Sequence, residues 1–116
     1  MSTITWESQG GVLVIRFLDS RILDETKIRQ IGEELTALVN RTEEPNLLLD
    51  FRDVQFMSSS MLGTLIRFHK KCKEFKVHLK LCHIAPDILQ VFKLTRLNKV
   101  FDIHGDGASA RAAFDA

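Results

Sequence analysis

Three consecutive hydroxyls, Ser58, Ser59 and Ser60, stand between an apolar run, Leu47-Leu48-Leu49, and an amphipathic stretch that begins at Met61. The polar turn between them carries Asp50, Arg52 and Asp53. The first backbone N–H groups of a helix lack intrahelical partners, and the helix dipole favours negative charge there. A covered strand feeding a loop whose hydroxyls open a helix is therefore a place where anions and phosphoryl groups are readily handled. A phosphate on such a hydroxyl would bring about −1.5 to −2 charges. Asp50 and Asp53 would add like-charge repulsion if they faced the loop. The stretch Leu47 to Lys71 thus reads as the working part of a protein-binding switch. The plainer alternative is that all three serines are caps and loop formers that need no modification.

Other chemistry finds less support. The serines do not sit in a GxSxG elbow, and no His and acid are spaced to suggest a triad. Gly105-Asp106-Gly107 lacks the lysine and the length of a phosphate-binding P-loop, and reads as a turn. No catalytic residue and no cofactor are expected. Cys72 and Cys82 form no CxxC or Cys/His pattern with zinc-ligand spacing, and His78, His83 and His104 share none, so no metal site is predicted. Cys82 and His83 are adjacent, which in a strand sends their side chains to opposite faces. Arg67, Lys70, Lys71, Lys73, Lys76 and Lys80 make a basic stretch, but no aromatic residues interleave with it as a stacking platform. A solvated helix face, not direct nucleic-acid binding, is the expectation.

A chain of 116 residues suits one domain, residues 1–116, with a single core. Its 45% hydrophobic content excludes a disordered chain. Apolar runs stay far below the ~20 residues of a membrane span, and no secretory signal pattern opens the chain. The expectation is a cytoplasmic protein that meets no membrane, as a monomer or weak dimer.

The elements that must position the serines follow from pattern. Ile4 to Leu18 reads as two strands joined at Gly10-Gly11. Trp6 is placed over one edge of the sheet. Asp24 is a good N-cap for a helix whose apolar face is Ile28, Ile31, Leu35 and Leu38. Asn40 is predicted to end that helix in a left-handed conformation ahead of Glu43-Glu44-Pro45. Asn46 to Asp50 reads as a central strand covered on both faces, and Phe51 to Met57 as a loop. Leu62, Leu65, Ile66 and His69, widened by Met61, Phe68 and Cys72, give the next helix a broad buried arc. Val77 to Cys82 reads as a half-buried strand, Pro86 opens a short helix through Leu94, and Asn98 to Ile103 supplies the last strand. After the turn at His104 to Gly107, Ala108 to Phe114 reads as a terminal helix. The fold class is α/β: a mixed sheet of four to five strands with its first strand antiparallel, packed with about four helices.

Three separated segments, in order, resemble the STAS-domain family of the anti-sigma factor antagonist type. Leu49 to Gly63, LDFRDVQFMSSSMLG, is similar to its signature of a strand ending in Asp, a loop, an apolar-Met pair and commonly Asp-Ser-Ser-Gly-Leu-Gly. Leu23-Asp24 resembles the Leu-Asp that opens the first helix. Phe92 to Phe101, FKLTRLNKVF, resembles the return into the last strand. The chain departs from the pattern at Arg21, Ser58 and Met61, where the family commonly has Gly, Asp and Gly.

The resemblance implies a non-enzymatic, phosphorylation-controlled binding module. Its unmodified form would bind an anti-sigma factor that is also an ATP-dependent serine kinase, freeing the sigma factor. Phosphorylation at the helix start would break that complex, and a serine phosphatase would reset it. Aligned on Phe56-Met57 and Leu62-Gly63, the phosphoacceptor falls on Ser59, with Ser58 and Ser60 as alternates. Asp24, Met57, Ser58, Ser60, Met61, Leu62 and Gly63 would form the partner-binding surface, with the bulk of Met61 beside it. The other use of the family is as a non-phosphorylated scaffold or small-ligand sensor in a bacterial signalling complex.

Overall fold

The computed structural model of the protein describes residues 2–115. Strand β1 (Ile4–Gln9) turns at Gly10 and Gly11, with φ of 57° and 82°, into β2 (Val12–Phe17). Two successive positive φ values are what a two-residue hairpin turn with the native strand twist requires, and glycine takes them without a Cβ penalty. The chain continues through β3 (Arg21–Ile22), α1 (Glu25–Arg41), β4 (Asn46–Asp50), β5 (Phe56–Met57), α2 (Ser59–Glu74) and β6 (His78–Cys82). It finishes with α3 (Pro86–Leu94), a single 3₁₀ turn (Leu97–Lys99), β7 (Asp102–His104) and α4 (Gly107–Phe114).

The main sheet has the order β1-β2-β4-β6-β7, with β1 antiparallel to β2 and every other pair parallel. β4 is its central strand, which explains the unbroken Leu47-Leu48-Leu49: both of its faces are covered. Leu47 and Leu49 face the larger core, shared with Ile31 and Leu35 of α1, Leu65 and Phe68 of α2, and Phe92 of α3. Leu48 faces a smaller core made with Val12, Val14, Cys82, Ala110 and Phe114, where α4 covers the second side. Each fully buried leucine contributes roughly 1.5–3 kcal/mol relative to exposure, so β4 is firmly anchored beneath the loop that leaves its end. Trp6 lies on edge strand β1, partly exposed, with the Arg41 guanidinium over its ring. Among the described residues no helix is long and apolar enough to cross a membrane.

Three expectations require correction. Asn40 does not end α1; the helix runs to Arg41, and Thr42 leaves it in an extended conformation (φ −72°, ψ 142°) while its hydroxyl accepts the Glu44 N–H. The last strand does not begin at Asn98. Arg96, at φ 61°, reverses the chain into the 3₁₀ turn, so Val100 is exposed and pairing starts only at Asp102 and includes His104. A short apolar run has no periodicity long enough to separate these alternatives. Finally, the stretch 51–57 is not all loop, because Phe56 and Met57 pair with Arg21 and Ile22 in a separate two-stranded ribbon.

Candidate functional site

That ribbon positions the serines. Arg21 pairs with Phe56 and Ile22 with Met57 in parallel register, and the Ser58 N–H extends the ladder to the Ile22 carbonyl at 2.9 Å. The Ser20 carbonyl accepts from both Gln55 and Phe56 at the other end. Parallel pairing makes the two strands leave side by side, so α1 and α2 start next to each other. The Ser60 hydroxyl accordingly donates to Glu25 Oε1 at 2.6 Å, joining the two helix starts.

The two starts are finished differently. Asp24 caps α1, its carboxylate accepting the Thr26 N–H at 2.9 Å. Ser58 occupies the cap position of α2, yet its side chain makes no capping bond, and the first turn contains no acid. The Ser58 Oγ is enclosed with no hydrogen-bond partner among the described residues. Ser59 is the first residue of α2 and is exposed. The three hydroxyls thus stand in three states: enclosed, free and bonded to a carboxylate.

Beside Ser59 lies a cleft of ≈ 270 Å³ between the β5–α2 junction and α3, lined by Phe56, Met57, Leu62, Ile88 and Val91, with Asp87 at its edge. Phe56 and Val91 are 50% and 41% exposed, a marked apolar content for a surface around a polar helix start. Phe56 is held by the Arg21 guanidinium, 4.9 Å from its ring centroid. Sequence reasoning placed Met57, Ser58 and Leu62 here but not Phe56, Asp87 or Val91. The aromatic in a turn-rich segment was the one available signal; α3 joins through tertiary packing alone.

Among the other expected contact residues, Asp24 is exposed and Gly63 is half-buried, with its Cα hydrogens facing Arg67. Met61 is a correction: it is fully buried in the main core, so its bulk lies inside the domain and not beside the surface. Leu62, 8% exposed, contributes only to the wall of the cleft.

Asp50 is also not at the serines. It shares the strand parity of Leu48, which sends it to the α4 side of the sheet, away from α2. There, 4% exposed, it meets Arg52 Nε at 3.2 Å, Arg16 Nε at 3.4 Å and His83 Nδ1 at 3.3 Å, and accepts the Arg52 N–H at 3.0 Å. Of the two expected repelling acids only Asp53, exposed in the loop, remains on the outside. His83 corrects a third expectation. It follows β6 with φ 58°, a left-handed conformation that breaks the strand alternation and brings its imidazole to the same side as Cys82. Burial pushes the Cys82 thiol up to about 12, and burial does the same to Cys72. The basic stretch divides: Lys80 pairs with Asp102, Lys71 with Glu74, and Arg67 donates to Thr64.

Comparison with known proteins places this geometry. A STAS-domain family model matches residues 3–110. Over 111 residues the chain is 25% identical to a protein of Bordetella bronchiseptica named as an anti-sigma factor antagonist, BtrV, with 96% of this chain and 93% of that one covered. It is 23% identical over 107 residues to an anti-sigma F factor antagonist of Paenibacillus polymyxa, covering 92% and 90%. Among solved structures, an anti-sigma-factor antagonist (STAS) domain protein of Planctomyces limnophilus superposes with a TM-score of 0.85 at 27% identity, covering 97% of this chain and 98% of that one. With the match spanning nearly every element from β1 to α4, the chain belongs to the STAS-domain family.

Proposed function

We propose that the protein is an anti-sigma factor antagonist in a partner-switching pathway: it binds an anti-sigma factor that is also a serine kinase and is released when Ser59 is phosphorylated. In the first half, the names of its relatives support an anti-sigma factor as the partner. The state of the three hydroxyls supports the second. Ser58 is enclosed, Ser60 is held by Glu25, and Ser59 alone is both exposed and without a partner among the described residues. That contrast is the observation on which the reading rests.

The physical consequence follows from position. Ser59 borders the apolar cleft, so a partner seated on Phe56 and Val91 would cover it. A phosphate would then be taken out of water in the middle of the contact, with Glu25 and Asp87 nearby as like charges. The start of α2 could tolerate it, since its free N–H groups and dipole favour an anion. Modification would therefore abolish docking without unfolding the domain, and removal of the phosphate by a serine phosphatase would restore it.

Incubation with the cognate anti-sigma factor and ATP, followed by peptide mass spectrometry, tests this. The expected result is one phosphate on the peptide spanning 58–60, lost in Ser59→Ala. A peptide that stays unmodified while the complex forms would instead favour an unphosphorylated scaffold or sensor.

A further inference from the structure

On the α4 side of the same sheet end, three potential metal ligands converge without any role in the docking surface. One atom each from the Asp50 carboxylate, the Cys82 thiol and the His83 imidazole lie within 4.8 Å of one another. Asp50 and Cys82 are partners in the parallel β4–β6 register and are 4% and 0% exposed. His83 completes the group only because its backbone adopts φ 58°. A non-glycine residue rarely holds that conformation, and such local strain concentrates where a side chain must be aimed.

The donor set is specific. A thiolate, an imidazole nitrogen and a carboxylate oxygen suit a borderline-soft dication such as zinc, and three protein ligands leave a fourth tetrahedral position for water. His83 is 26% exposed, so one side of the group borders solvent. Arg16 and Arg52 approach Asp50 through Oδ2, whereas the His83 Nδ1 lies against Oδ1. The arginine side chains thus hold one carboxylate oxygen, and the other, which accepts the Arg52 backbone N–H, keeps a second lone pair for a metal. The arginines oppose a cation, but their side chains are 43% and 46% exposed, and the nearby water weakens that repulsion. Against them stand the two negative charges of carboxylate and thiolate, which match a dication.

We propose that Asp50, Cys82 and His83 form a zinc-type metal site at the carboxyl ends of β4 and β6, on the opposite face of the sheet from Ser59. Binding forms metal–oxygen, metal–sulfur and metal–nitrogen bonds. It releases the thiol proton to solvent and requires the His83 proton on Nε2. Nothing is oxidised or reduced. The bound ion would tie the end of β4 to the end of β6, directly beneath the loop that leads to the serines.

The untagged full chain, titrated with zinc by calorimetry and with cobalt(II) as a spectroscopic probe, tests the site. The expected result is one ion per chain, a cobalt–thiolate charge-transfer band and a rise in melting temperature with added zinc. Cys82→Ser should remove the band, and His83→Gln should weaken binding by more than about tenfold. Cys72→Ser, in the other core, should change neither. Absence of the thiolate band in the parent protein overturns the proposal. So does a band that survives Cys82→Ser or unchanged affinity in His83→Gln, whose partly exposed position keeps that variant folded if Cys82→Ser is not.

Discussion

Replacing Ser59 by Asp separates an electrostatic gate from a structural role. In the free domain the new carboxylate stands at the first position of a helix whose cap side chain makes no hydrogen bond and whose first turn has no acid. It gains about 0.3–1 kcal/mol from the helix dipole. Glu25, which already holds the neighbouring Ser60 hydroxyl at 2.6 Å, repels it by an exposed-surface amount of about 1 kcal/mol or less. The two effects nearly cancel, so the melting temperature should move by less than about 5 °C. In the proposed complex the same carboxylate would sit against the cleft formed by Phe56, Leu62 and Val91 and lose its water. An unpaired charge buried this way costs about 3–5 kcal/mol. At 1.4 kcal/mol per decade, affinity should fall roughly a hundred- to several-thousand-fold. Circular-dichroism melting and calorimetric titration with the anti-sigma factor measure the two quantities on the same preparation, with Ser59→Ala expected to bind as the parent does. Affinity retained within a factor of about three would refute the gate, and loss of folding would refute the surface placement of Ser59.

Three further outcomes follow from the same geometry. Asp50→Ala should lower the unfolding free energy by about 2–3 kcal/mol in urea, because a charge-assisted bond to the Arg52 N–H and two half-exposed arginine pairs go together; a loss below about 0.5 kcal/mol would show that the cluster does not tie the strand ends. Met61→Ala should cost about 2–5 kcal/mol of stability, as for other fully buried side chains, whereas a surface methionine would cost almost nothing; chemical denaturation decides. His69 packs edge-on against Phe101, and burial, aided by Lys73, lowers its pKa from 6.5. The unfolded chain therefore takes up the proton first, so stability should fall as the pH drops below 6.5 and level off below the folded value. His69→Gln should flatten that stretch of the stability–pH curve, and an unchanged curve would exclude His69 as its source.

Much of the scaffold was legible in local pattern. The Gly10-Gly11 turn, the apolar faces of α1 and α2, and the two-sided burial of Leu47-Leu48-Leu49 each follow from a period or a turn chemistry that a few neighbouring residues carry by themselves. The position of Ser59 at a helix start was legible for the same reason. The 3₁₀ turn before β7 was not, since Val100 and Phe101 are too short a run to reveal which of them is buried.

The sequence by itself determined where the hydroxyls are, which helix they open and which sheet supports them, because strand and helix periods are properties of consecutive residues. Tertiary structure alone decided the rest. It paired Arg21-Ile22 with Phe56-Met57, bringing Glu25 to Ser60, and it packed α3 so that Val91 completes the cleft. It also left one of three identical hydroxyls free and, through a single left-handed residue, turned His83 onto Asp50 and Cys82. Contacts between residues some 30 or more positions apart are chosen by how the faces of the whole domain can close together, and no local window contains that information.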